Sequence, residues 1–240
     1  HIYEDAEIPR NPVAYGAGLV TNRAGVYGFK DTPTLPWGEW LVHDPDRPAP
    51  PRVDPGPPGA LSPAPSDAIV LFNGTSADQW QPLDDWKVEN GHLVSGNRSL
   101  RTKDDYGDVQ LHVEWMGPAD FDGPWHDQGN NGVTLMGMYE IQIFDSFNEK
   151  IYPDGQCAAI YGQTPPLVNV TRAPGQWQSF DIVFTAPRFE KGALRSPARV
   201  TVFHNGVLVQ KDEVIHGEIS YRGLPAYRSR KTSGPLVLAG

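Results

Sequence analysis

The sequence predicts an all-β fold, a sandwich or barrel of short antiparallel strands, on three observations. After Ser66, short apolar runs recur at roughly ten-residue spacing with turn signals between them. Gly 25 and Pro 24 together make about a fifth of the 240 residues, a composition of many turns and few long helices. Helical periodicity is nearly absent. Hydrophobic residues at 39 % are enough for a buried core at this length. Lys+Arg 20 against Asp+Glu 29 leaves a net charge of −9, without the basic stripe that nucleic-acid binding needs. No window approaches the roughly 18 consecutive apolar residues of a membrane helix. A single Cys157 excludes an intramolecular disulfide and a Cys-rich zinc site.

The elements follow in chain order. Residues 1–44 space Gly16, Gly18, Gly25 and Gly28 between Tyr15, Tyr27, Phe29, Trp37 and Trp40, which reads as an irregular N-terminal arm. An arm without a core of its own is expected to dock Trp37 and Trp40 on the following domain or on a neighbouring subunit. Residues 45–66 carry nine prolines between Pro45 and Pro65 and read as an extended tether. In the domain of residues 67–240 the predicted strands are Ile69–Phe72, Trp86–Glu89, His92–Val94, Val109–Trp115, Gly132–Met136, Tyr139–Phe144, Ala158–Ile160, Gln178–Thr185, Ala198–His204, Val207–Lys211 and Leu236–Leu238. Asn90-Gly91 and Asn205-Gly206 supply the two positive-φ residues of tight hairpins. In the run Val109–Trp115, alternation puts Val109, Leu111, Val113 and Trp115 on a packed face and Gln110, His112 and Glu114 on a wet one.

The segment Tyr139–Asp145 concentrates chemistry. Tyr139, Ile141 and Ile143 form one face; Glu140 and Gln142 point the other way, and a one-residue bulge after Ile143 would bring Asp145 alongside them. Two carboxylates about 5–5.5 Å apart are the nucleophile and acid/base of a retaining glycosidase. An ordinary solvent-facing strand edge would read the same. Glu114 and His112 from the preceding strand, Asn130 and Asn131 ahead of the next, and Trp115, Trp125 and His126 in or beside the long loop Pro118–Gly129 are expected near the same sheet face. His126 reads equally as a solvated loop histidine. Gln156, Tyr161 and Gln163 add further polar edges and an aromatic platform, and aromatic faces with amide and carboxylate edges suit a sugar. No Gly-x-Ser-x-Gly elbow, phosphate loop, dinucleotide fingerprint or His-Glu-x-x-His helix occurs. Asp120, Asp122 and Asp127 hold oxygen ligands for calcium but lack a recognised spacing, so no cofactor or metal is expected. Cys157, beside Ala158 and Ala159, reads as a buried thiol.

Leu71-Phe-Asn-Gly74, Trp86-Lys-Val-Glu-Asn-Gly91, Tyr106–Trp115, Tyr139–Ser146, Tyr152-Pro-Asp-Gly-Gln156, Ile160-Tyr-Gly162 and Ala198–Val207 resemble, in order and spacing, the 3-keto-disaccharide hydrolase domain family over about residues 67–240. The resemblance implies a concanavalin-like jelly-roll sandwich of two antiparallel sheets with a concave sheet face as the site. Laminarinase-like enzymes of that fold carry Glu-x-Asp-x-x-Glu on the catalytic strand; here it reads Glu140-x-Gln142-x-x-Asp145. A 3-keto sugar opens another route, because the ketone acidifies the C2 hydrogen and permits elimination of the C1 aglycone, followed by hydration. On that reading Glu140 is the base, Asp145 or Glu114 the proton donor, and Gln142, Asn131 and His126 orient hydroxyls or the keto oxygen. Trp115, Trp125, Tyr161 and Gln156 complete the expected carbohydrate-binding set.

In the family a further C-terminal strand usually follows the stretch resembling Gly234–Leu238, and this sequence stops at Gly240, so one sheet is expected to have an open edge, covered by the arm or by another chain. A non-catalytic lectin-like module, and an assembly subunit that forms a homo-oligomer or meets a protein partner through the arm, are the alternatives to an enzyme. The start at His1 without a leader fits a trimmed product, and with the family it points to a periplasmic or secreted bacterial protein.

Overall fold

The computed structural model describes residues 17–59, 63–121, 127–148 and 150–239. Its strands are β1 (Leu19–Thr21), β2 (Tyr27–Phe29), β3 (Lys87–Glu89), β4 (His92–Val94), β5 (Leu100–Tyr106), β6 (Val109–Trp115), β7 (Asn131–Leu135), β8 (Tyr139–Ile143), β9 (Gln178–Thr185), β10 (Arg188–Glu190), β11 (Ala193–Ser196), β12 (Arg199–His204), β13 (Val207–Val214) and β14 (Gly234–Leu238). Two four-stranded antiparallel sheets, ordered β13-β12-β9-β6 and β5-β14-β7-β8, pack face to face, and β1-β2, β3-β4 and β10-β11 are hairpins. The expected sandwich is therefore the observed one. Its core sets Val133, Leu135, Tyr139, Ile141 and Ile143 of one sheet against Phe180, Ile182, Phe184, Val200, Val202 and Val209 of the other. The period-two burial of β9 and β12 follows from this single packed face.

Both expected hairpins form, with Asn90 at φ 51° and Gly91 at 79°, and Asn205 at 53° and Gly206 at 79°. Lys191-Gly192 turns β10 into β11 with the same pair of positive φ angles, so lysine fills a place the sequence pattern reserves for asparagine.

Two expected strands change, and five strands, β1, β2, β5, β10 and β11, are not among those expected. Ile69–Phe72 is not a strand: Ile69 and Val70 are exposed, and Leu71 gives its carbonyl to Trp80 Nε1 at 2.8 Å. Ala158–Ile160 joins no named strand but runs along the free edge of β8 through single bridges. β5 was absent from the expectation because Lys103-Asp104-Asp105 interrupts its alternation. It is the outermost named strand of its sheet, its charged residues face solvent, and residues 79–81 bond along its outer edge, Gln81 N to Arg101 O and Lys103 N to Gln79 O, both at 2.8 Å.

The described part of the arm, from residue 17, docks on its own sandwich. Phe29 joins Phe144, Ile151 and Tyr152 in a second core cluster. Trp37 stacks on His216 with ring centroids 3.6 Å apart and planes 3° from parallel. The Pro-rich segment is not a free tether. Val53 N donates to Asn169 O and Asn169 N to Pro51 O, both at 2.9 Å, and Arg172 Nε donates to Gly56 O at 3.1 Å. Prolines lack N–H groups yet keep their carbonyls, so an extended proline stretch still accepts from the domain it crosses. Among the described residues, β6 has β9 as its one strand partner, which leaves its other edge without a neighbouring strand.

Candidate active site

The candidate site lies on the face of the β5-β14-β7-β8 sheet that turns away from the core. With Tyr139, Ile141 and Ile143 committed to the core, alternation sends Glu140 and Gln142 to the opposite face. Cross-strand register places Thr134 opposite Glu140 and Gly132 opposite Gln142. This face is not wet as the alternation alone implies: Glu140 is 6 % exposed and Gln142 2 %. Chain residues 158–161 close the outer edge of β8. Gln142 N donates to Ala159 O at 3.0 Å, Ala158 N to Gln142 O at 2.8 Å and Tyr161 N to Glu140 O at 3.2 Å.

Gly132 explains how the carboxylate fits. A Cβ at that position would lie 2.1 Å from Glu140 Oε1, so the Glu140 side chain occupies the space that any other residue would fill. Glu140 Oε2 has no hydrogen-bond partner among the described residues. Burial disfavours the charged form, and the Glu140 carboxyl is pushed up to about 8. The Gln142 amide links this acid to the surface. In one orientation it donates to Asn130 Oδ1 at 3.4 Å; turned over, it donates to Asn131 O at 2.9 Å and Glu140 Oε1 at 3.1 Å. Asn131 is half-buried and Asn130 exposed, so the polar line runs outward from Glu140 to solvent. An acid poised near neutral pH and steered by a neutral amide can accept a proton or return one.

The remaining expected residues divide. Asp145 lies beyond the end of β8 and its oxygens are taken up locally: Oδ1 accepts from Phe147 N at 3.0 Å and Asn148 N at 3.3 Å, and Oδ2 from Asn148 Nδ2 at 3.2 Å and from Gln128 Nε2. That pattern ties down the turn after β8 and anchors the loop before β7. Asp145 also lines a shallow cleft with Trp115, Gln128, Arg172 and Gln178. Glu114 does not join Glu140: it stands on the outer face of the other sheet, 3.5 Å from His112, because β6 belongs to β13-β12-β9-β6. Trp115 turns inward onto Phe180 and His204, at ring separations of 5.8 and 6.0 Å. Gln156 is buried, and its Nε2 donates to Ile151 O at 3.5 Å. The Tyr161 hydroxyl meets that of Tyr152 at 3.0 Å. Trp125, His126 and Asp122 lie outside the described residues. Cys157 is buried, with its thiol pushed up to about 12 by burial. Among the described residues no group of three His, Cys, Asp or Glu side chains could hold a metal ion. Thr134 escaped the sequence reading, although its two-residue offset from Gly132 marks it for the Glu140 face.

A two-sheet sandwich with a buried, proton-holding carboxyl on the outward face of one sheet defines the class. Residues 67–240 match the model of the 3-keto-alpha-glucoside-1,2-lyase-like domain, and the chain belongs to that family. Among solved structures it is similar to a Parabacteroides distasonis protein, provisionally named a glycosyl hydrolase, at 35 % identity over 92 % of each chain with a TM-score of 0.71. A second protein of that organism, under the same provisional name, matches at 21 % identity over 70 % of this chain and 89 % of its own, with a TM-score of 0.47. A search of curated proteins found no match.

Proposed function

We propose that the chain cleaves glycosides of 3-keto sugars by elimination across C1 and C2, with Glu140 as the base. The observation that carries this reading is the Glu140 carboxyl, buried over Gly132, without a cationic partner among the described residues and held near 8. As a carboxylate in a dry site it is a strong enough base for a hydrogen acidified by a neighbouring ketone. Glu140 takes the C2 proton, the C2–H electron pair forms the C1=C2 double bond, and the C1–O bond breaks with its electrons on the leaving oxygen. That oxygen needs one proton, which the Glu140 carboxyl now carries and the Gln142–Asn131 line can help direct. Water addition across C1=C2 then gives the free 3-keto sugar. The family match supports a glycoside as the substrate class, and the engagement of both Asp145 oxygens by Gln128, Phe147 and Asn148, with an amide at the central position 142, favours elimination over the two-carboxylate mechanism.

The test is incubation with a 3-keto-glucoside beside the unoxidised glucoside, following release of the aglycone. Cleavage of the keto sugar alone is expected, reduced at least about a thousandfold in Glu140→Gln, and in the parent rising with pH toward the ionisation of Glu140 near 8. Equal cleavage of the unoxidised glucoside would make the protein an ordinary glycosidase. Binding of both sugars without cleavage would favour a lectin-like module.

A further inference from the structure

The free edge of β8 is held by a segment that the arm splints at both ends. At one end His43 N donates to Asp154 Oδ2 at 2.9 Å, and the His43 ring lies with Nδ1 3.4 Å from Asp154 Oδ1. At the other end Arg47 Nη1 donates to Gln163 O at 3.0 Å. Between these points lie residues 158–161, which bond to the backbone of Glu140 and Gln142. The link is short: Gly162 N donates to Asp154 O at 2.9 Å, and the next residue back, Tyr161, donates its N–H to Glu140 O.

His43 and Asp154 are both fully buried. Tyr152, Tyr161, Tyr221 and Phe29 surround the histidine, with the Tyr152 ring 3.9 Å away. Burial pulls the Asp154 carboxyl up, yet the His43 ring and backbone N–H and the Arg47 charge outweigh it and hold the carboxyl below its usual range. A buried charge of this kind has structural cost unless both partners stay in place, so its geometry is tightly specified. His43 also sits at φ 59°, a conformation few residues other than glycine and asparagine accept readily.

We propose that the arm is a working part of the site, with His43 acting through Asp154 as a positioning residue that keeps the wall over Glu140 closed. This rests on Glu140 being the base. When the pair is broken, the segment 154–163 loosens, water reaches the Glu140 carboxyl, and the acid loses both its placement and its raised proton affinity.

The experiment uses the full chain with His43→Asn, which tolerates the left-handed backbone and keeps the N–H to Asp154 while removing the ring. Asp31→Asn, which weakens the arm at its exposed pair with Arg222, is the control for general loosening. Two quantities are read. The ionisation of Glu140 is followed by carbon NMR of labelled glutamate, its signal assigned by its loss in Glu140→Gln, and kcat and KM are measured on a 3-keto-glucoside. In His43→Asn the Glu140 midpoint is expected to fall by about one unit or more, and kcat by about tenfold with KM within about threefold, while Asp31→Asn changes neither. A folded His43→Asn protein with the parent's midpoint and kcat would overturn the proposal. If the parent cleaves no keto-glycoside, the proposed activity fails, and the Glu140 midpoint alone still decides whether His43 positions it. Should His43→Asn not fold, Asp154→Asn, which keeps an acceptor for the His43 N–H, is read in the same way.

Discussion

Glu140 holds its proton at a cost to the fold. Its carboxyl is neutral in the native protein up to about 8, whereas in the unfolded chain it ionises near its ordinary value of 4.5. The native state therefore binds the proton more tightly: the stability linked to it is complete below about 4.5 and is lost as the pH rises toward 8. Glu140→Gln removes this dependence. Its stability relative to the parent, from urea unfolding, should rise by on the order of 2 kcal/mol or more between pH 5 and pH 8. Parallel pH responses of the two proteins would show the carboxyl to be solvated. Glu140 and Gln142 were legible in the sequence because alternation on a strand needs only local residues. Their burial was not, because it depends on chain 158–161 folding back along β8 and on the missing side chain of Gly132. The engagement of Asp145 was hidden for a related reason. Sequence could place a carboxylate near the strand end but not show that Gln128 and the amides of Phe147 and Asn148 already engage it.

Among the elements, the two Asn-Gly hairpins look alike in sequence and differ in what they carry. Asn90 is exposed at the tip of β3-β4. Asn205, between β12 and β13, bridges four partners: its Oδ1 accepts from Arg172 Nη1 at 2.7 Å and Ser179 N at 3.1 Å, and its Nδ2 donates to Val170 O at 2.9 Å and Gln178 Oε1 at 3.2 Å. The same Gln178 oxygen meets the buried His204 at 3.0 Å, and burial holds that imidazole neutral with its pKa down to about 3. Glycine satisfies the backbone at either turn, so the substitution isolates the side chain. Asn205→Gly should cost about 2–4 kcal/mol and Asn90→Gly within about 0.5 kcal/mol, as measured by chemical unfolding. Equal losses would mean that the turn conformation alone matters. Strands with one buried face were readable from period two, as in β6 and β9. β5 was hidden because its charges serve an edge rather than a packed face.

For the whole molecule, composition divides the chain into arm, tether and domain, while packing joins them. The prolines of residues 45–65 do look like a spacer, and nothing local reveals that Pro51 and Val53 pair with Asn169 or that Arg172 reaches Gly56. With Phe29 inside a domain cluster and Trp37 on His216, the arm and sandwich should melt together. Calorimetry should show one transition for the full chain, with Trp37→Ala lowering its midpoint by about 3–6 °C. An earlier, separate transition for the arm would refute that unity. The sheet that holds Glu140 is also assembled out of chain order. β14, residues 234–238, lies between β5, residues 100–106, and β7, residues 131–135. A nascent chain on the ribosome therefore cannot complete this sheet until the residues near position 238 have emerged, well over a hundred residues after β5. Until then β5 and the β7-β8 hairpin expose unpaired edges, so the sheet that carries the candidate acid stays incomplete and the waiting intermediate is a natural client for chaperones.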